Sequence, residues 1–89
     1  MEKNDITMPE YLKNLCWGDF DEGQRRQILY GLEKRLDVSA YAKSEFNTYQ
    51  MEQIICGLER GLDVSVYAKP EYNAFQMSYL RKQLIDNTI

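Results

Sequence analysis

The chain has 89 residues, a formal net charge of −3 and a pI near 4.9; 44% of it is hydrophobic, 12% aromatic, and it has no histidine. That size means one small domain with a marginal core, and the apolar content excludes a disordered segment. The acidic balance weighs against binding a phosphate backbone, which rests on Lys and Arg, and the missing histidine removes the commonest general base and metal ligand.

The chain opens on MEKNDITMPEY, which is acidic and polar and lacks the charged-then-apolar layout of a signal peptide. No apolar run approaches the roughly 18 residues that span a bilayer, so the expectation is a cytoplasmic protein with no membrane partner. Thr7 and Glu10 form a capping-box pattern around Pro9, which predicts a short helix over residues 9–16. That helix would bury Tyr11, Leu12, Leu15 and Trp17, with Cys16 as a small buried hydrophobe, and would cap one end of the fold (residues 7–17).

Three more caps follow, at Asp21, Asn47 and Asn73. Each has an aromatic before it (Phe20, Phe46, Tyr72) and a glutamine three residues after it (Gln24, Gln50, Gln76). The Asx oxygen accepts from first-turn amides and the glutamine bonds back, which completes a capping box. The aromatic is placed to staple onto the fourth helical position, Met51 or Met77; in the first unit that position is Arg25, so the contact there is weaker or becomes stacking. Apolar residues then recur with a helical period: Ile28, Leu29 and Leu32; Met51, Ile54, Ile55 and Leu58; Met77, Leu80 and Leu84.

Gly61 suits the left-handed residue that ends the middle helix, with Leu62 closing it; Arg35 holds the same place in the first helix, at a cost of about 1 kcal/mol relative to Gly. Asp37 and Asp63 then cap single short turns, DVSAYA and DVSVYA, that turn Val and Tyr inward, and Pro70 forces an extended residue before the next cap. Gly31 and Gly57 recur inside their helices, which predicts close approach by the next unit. Gln83 at the equivalent place then marks an end face.

These elements repeat. Residues 27–51 and 53–77 are identical at 16 of 25 positions, at a spacing of 26. The fold expected is an all-α, compact tandem helical repeat in a single domain: three long helices linked by short DVSxYA helices, plus the N-terminal capping helix. Its units are residues 20–45, 46–71 and a partial 72–89. The motif GLExGLDVSxYAxPEFxxxQM, carried by residues 57–77 and, with Arg35 and Ser44 for Gly and Pro, by residues 31–51, resembles short tandem repeats of bacterial, phage and mobile-element proteins. The resemblance implies a helical-repeat scaffold and brings no catalytic residue, ligand or cofactor.

Positions that recur serve the fold of every unit, and positions that differ are free for something else. Tyr49, Gln53, Cys56 and Arg60 form one such stripe on the middle helix, matched by Gly23, Gln27, Tyr30 and Lys34 before it and by Phe75, Tyr79, Lys82 and Asp86 after it. Tyrosine, arginine and lysine together have the composition of an interface, so Tyr30, Tyr49, Gln53, Arg60, Tyr79 and Lys82 are the candidate partner-binding residues. A stacked helix buries two sides, so packing competes with partner contact here and is the stronger reading for Tyr49 and Phe75. Asp37 with Ser39, and Asp63 with Ser65, fit local capping, because a serine nucleophile needs an adjacent base. Glu33 and Glu59 stand too far apart in the repeat for a carboxylate dyad. No cofactor or metal pattern is present.

The function expected is non-enzymatic: an adaptor or inhibitor that binds another protein through the variable stripe. One alternative is a phage or mobile-element inhibitor of a host defence nuclease, mimicking nucleic acid with Asp19, Glu22, Glu45, Glu52 and Glu71. Another is a helix-turn-helix DNA binder, against which the acidic balance argues. Pairing of two copies through apolar ends, giving a homodimer, is a further expectation.

Overall fold

The computed structural model describes residues 17–87. The helix expected over 9–16, its capping pattern at Thr7 and its residues Tyr11, Leu12, Leu15 and Cys16 lie outside that range. Trp17, which was expected beneath it, opens a 3-10 turn, Trp17–Asp19, and packs against the core. The described chain is all-helical: α1 (Glu22–Glu33), α2 (Thr48–Glu59) and α3 (Ala74–Asn87) are joined by 3-10 turns at Val38–Ala40 and Val64–Val66.

Each long helix begins where its cap dictates. Asp21 and Asn47 accept from Gln24 N and Gln50 N at 2.8 Å, and Gln24 and Gln50 accept in return from the cap amides. Asn73 and Gln76 make the same reciprocal pair at the head of α3. Phe46 and Met51, the expected staple, are both buried. In the first unit Arg25 stacks 5.9 Å from the Trp17 ring centre and donates to the Trp17 carbonyl, and the Trp17 and Phe20 rings lie 5.8 Å apart.

Helices α1 and α2 end in the same way. Leu36 N reaches back to Gly31 O and Arg35 N to Leu32 O; Leu62 N and Gly61 N do likewise to Gly57 O and Leu58 O. These paired bonds form a Schellman motif, whose penultimate residue must be left-handed. Gly61 sits at φ +71° and Arg35 at φ +61°, the one non-glycine with positive φ among the described residues. Asp37 and Asp63 then accept from Ser39 N and Ser65 N and from both serine hydroxyls, as local capping requires.

The recurring glycines have a different reason from the expected one. A Cβ on Gly31 would lie 2.0 Å from the Tyr41 hydroxyl, and one on Gly57 would lie 2.2 Å from that of Tyr67. The gap therefore admits the tyrosine of the same unit, not the following unit. Each hydroxyl crosses the glycine to donate to a carbonyl of its own helix, Tyr41 to Gln27 O and Tyr67 to Gln53 O, both at 2.6 Å.

What joins the units is the rest of the capping glutamine. The Gln24 Nε2 donates to Ser44 O and Phe46 O, and the Gln50 Nε2 to Pro70 O and Tyr72 O, the shorter bond being 2.6 Å in both. Both glutamines are buried, amid a core that runs through all three units and includes Ile28, Met51, Ile54 and Met77. Leu29, expected on the buried face of α1, is instead 39% exposed.

Two outcomes follow. Arg35→Gly should add about 1 kcal/mol, a rise of roughly 4–8 °C in the melting temperature of a domain this small, because it relieves the left-handed strain. A fall on thermal melting would contradict that account. Burial, partly opposed by Arg81, pushes the Tyr67 phenol from 10.0 up to about 12. The unfolded chain then loses its proton first, so this part of the stability is intact below pH 10 and drains away as pH rises towards 12. Melting temperatures measured across that window should fall more steeply for the native chain than for Tyr67→Phe.

Candidate interaction surface

The variable stripe divides by how each position sits relative to the joints between helices. Tyr49 on α2 and Phe75 and Tyr79 on α3 are 67%, 83% and 60% exposed. Packing against a neighbouring helix, the stronger sequence reading for Tyr49 and Phe75, is overturned by those values. Both rings project from the first turn of a helix whose far side is the one buried. Gly23 holds the same position in α1, where a Cβ would lie 2.5 Å from the Thr48 hydroxyl; α2 closes in there and leaves no room for a side chain.

Tyr30 and Gln53 lie over the joints themselves. The Tyr30 hydroxyl donates to Glu59 Oε2 across the α1–α2 joint, while Lys34 lies 5.7 Å over its ring. Gln53 Oε1 accepts from Arg81 Nε at 3.3 Å across the α2–α3 joint. Arg26, Gln27 and Tyr30 from α1 and Gln53, Cys56 and Glu59 from α2 line an open groove of about 470 Å³. Arg60, at the end of the stripe on α2, and Lys82 on α3 are exposed, and Cys56 is half-buried within it. Thus Tyr49, Arg60 and Lys82 are presented outward, and Tyr79 is exposed with its hydroxyl accepting from Gln83 Nε2 on its own helix, whereas Tyr30 and Gln53 each spend a polar atom across a joint.

The carboxylates expected to imitate a phosphate backbone, Asp19, Glu22, Glu45, Glu52 and Glu71, are all exposed. Glu22 is neutralised by Arg26 at 2.7 Å, an i,i+4 pair worth a few tenths of a kcal/mol. Among the described residues no three His, Cys, Asp or Glu side chains converge as metal ligands, and no helix is long and apolar enough to cross a membrane. The two amide-to-carbonyl rivets, from Gln24 and Gln50, were not anticipated from the sequence. Their only signal was that Gln, and never Glu, fills the third helical position in all three caps.

The hydrogen bond to the Glu59 carboxylate, then desolvation, then the Glu59 charge raise the Tyr30 phenol above its ordinary value of 10.0. Glu59→Gln should therefore bring the Tyr30 titration back down towards 10.0, read from the ring carbons by NMR. An unchanged titration would show that the bond does not persist in solution.

No protein-family model, curated protein or solved structure matches this chain.

Proposed function

We propose that this protein is a non-enzymatic binding module that captures another protein through the variable stripe, with Tyr30, Tyr49, Arg60 and Tyr79 as anchors and Gln53 and Lys82 beside them. The observation that carries the reading is the exposure of Tyr49, Phe75 and Tyr79, 67%, 83% and 60%, at positions that vary between units otherwise close to identical. Large aromatics in water forgo burial that would stabilise the fold by about 25 cal/mol per Å² of apolar surface, and a partner restores it. Tyrosine and arginine are also the residues on which binding energy concentrates. Lys34, Arg60 and Lys82 on the same stripe favour a partner with carboxylates at the rim of its apolar site. The resemblance of residues 57–77 to mobile-element repeats supports a scaffold role and brings no reaction with it.

Combined replacement of Tyr30, Tyr49 and Tyr79 by Ala tests this, with capture from an extract of the native host as the readout. Each lost anchor should weaken capture by about 2 kcal/mol, roughly thirtyfold, with the melting temperature close to that of the native chain. Undiminished capture would exclude the stripe as the binding surface, and a collapsed melt would reassign it to the core.

A further inference from the structure

Both joints between units obey one rule of pairing. Across the first, the Gln24 amide donates to the carbonyls of residues 44 and 46, Gln27 and Ile55 line one groove, and the Tyr30 hydroxyl donates to Glu59. Across the second, 26 residues on, the Gln50 amide donates to the carbonyls of 70 and 72 and Gln53 bonds Arg81. Every joint therefore has a forward side, at the positions of Gln24, Gln27 and Tyr30. Its backward side is a corner with two carbonyls and the positions of Ile55 and Glu59.

Among the described residues no unit packs on the forward side of the third. Its residues are Gln76, Tyr79 and Lys82, all exposed, whereas Gln24 and Gln50 are buried. Among the described residues the Gln76 Nε2 meets no acceptor. Tyr72, Phe75, Gln76, Tyr79 and Leu80 surround an open pocket of about 260 Å³. Among the described residues nothing packs on the backward side of the first unit either. Gly18 and Phe20 hold the places of the two accepting carbonyls, and nothing lies within 4 Å of where a Gly18 Cβ would be. Leu29 holds the place of Ile55 and is 39% exposed where Ile55 is 4% exposed, and exposed Glu33 holds the place of Glu59.

We propose that the α3 end face of this chain takes the α1 end face of a second copy, head to tail, continuing the stack. The same register that builds the internal joints sets three matched pairs across this one: the Gln76 amide on the Gly18 and Phe20 carbonyls, the Tyr79 ring on Leu29, and the Lys82 ammonium beside the Glu33 carboxylate. An amide donor meets carbonyls, an aromatic meets an aliphatic, and a cation meets an anion. A terminal unit that ends a stack carries a polar outer face, which the exposed aromatics of α3 do not provide. Because the two faces differ, the contact is heterologous, and copies add in an open chain instead of closing as a symmetric pair. This inference stands apart from the side stripe, sharing only Tyr79 and Lys82 with it, and is tested on the purified chain alone.

Sedimentation velocity over a rising concentration series should show the native chain growing past a dimer from its 10.5 kDa monomer. Gln76→Glu keeps the oxygen that caps Asn73 and turns the outward donor into a charged acceptor; at this exposed position it should fold as the native chain does and lose association at least about tenfold. Gln50→Glu, the same change inside a joint, should lower the melting temperature instead. Leu29→Glu should also lose association, from the other face. Mixing Gln76→Glu with Leu29→Glu leaves one intact face on each and should give a dimer and nothing larger. A native chain monomeric throughout, a Leu29→Glu variant that associates as before, or a mixture that stays monomeric would each overturn the proposal.

Discussion

The buried amide of Gln24 and Gln50 does two jobs with its two ends, and the stack depends on their being done together. The oxygen caps the helix that carries it, and the nitrogen holds the corner that opens the next unit. A glutamate would cap as well or better, yet its second oxygen would face two carbonyls with no proton to offer. Leaving a buried polar group without its partner costs about 1–3 kcal/mol, more when it is charged. The helix start and the arrival of the next unit are thereby coupled through one planar group. Neither is fully satisfied without the other, which makes neighbouring units fold as a pair.

The Gly–Tyr contact works at right angles to this. Tyr41 and Tyr67 cross Gly31 and Gly57 to bond carbonyls on their own helices, so each 3-10 turn is locked onto the helix it follows. Glycine inside a helix gives up about 1 kcal/mol against alanine, and the buried ring with its satisfied hydroxyl more than offsets that. One device shapes the unit and the other spaces the units. A change at Gly31 would deform a unit that could still be capped, while a change at Gln24 would leave an intact unit badly joined.

Local features were legible in the sequence because their causes are local. The capping boxes at Asp21, Asn47 and Asn73, the DVS turns, and the left-handed residue at Arg35 all follow from residues within six positions of one another. The contacts that were missed or misread span longer separations. The glutamine nitrogens reach 20 and 22 residues ahead. The glycines were recognised as close approaches but given the wrong neighbour, since spacing alone does not say whether a ring arrives from the same unit or the next. Tyr49 and Phe75 look like packing residues to a periodicity argument, because helical position fixes a direction around the axis and not what lies in that direction. Of the candidate site, the stripe was legible as a set of varying positions. Its division into outward residues and residues lying over a joint was not.

That division shows how a stack of near-identical units keeps its order. The amide-to-carbonyl rivets are the same at both joints and would hold any unit on any other. The side-chain pairs beside them are not the same: Tyr30 meets Glu59 at the first joint, and the equivalent places at the second are Cys56 and Ile85. Seating the third unit directly on the first would set the Tyr30 hydroxyl against an isoleucine and leave Glu59 without its short charge-assisted bond. Such bonds are about twice as strong as neutral ones. The varying positions thus penalise wrong pairings while the constant ones supply the attraction, a separation of affinity from specificity familiar at interfaces between proteins. Variation along the stripe therefore has an internal use wherever it borders a joint. Only where it points away, at Tyr49, Phe75, Arg60, Tyr79 and Lys82, does it require an explanation from outside the chain.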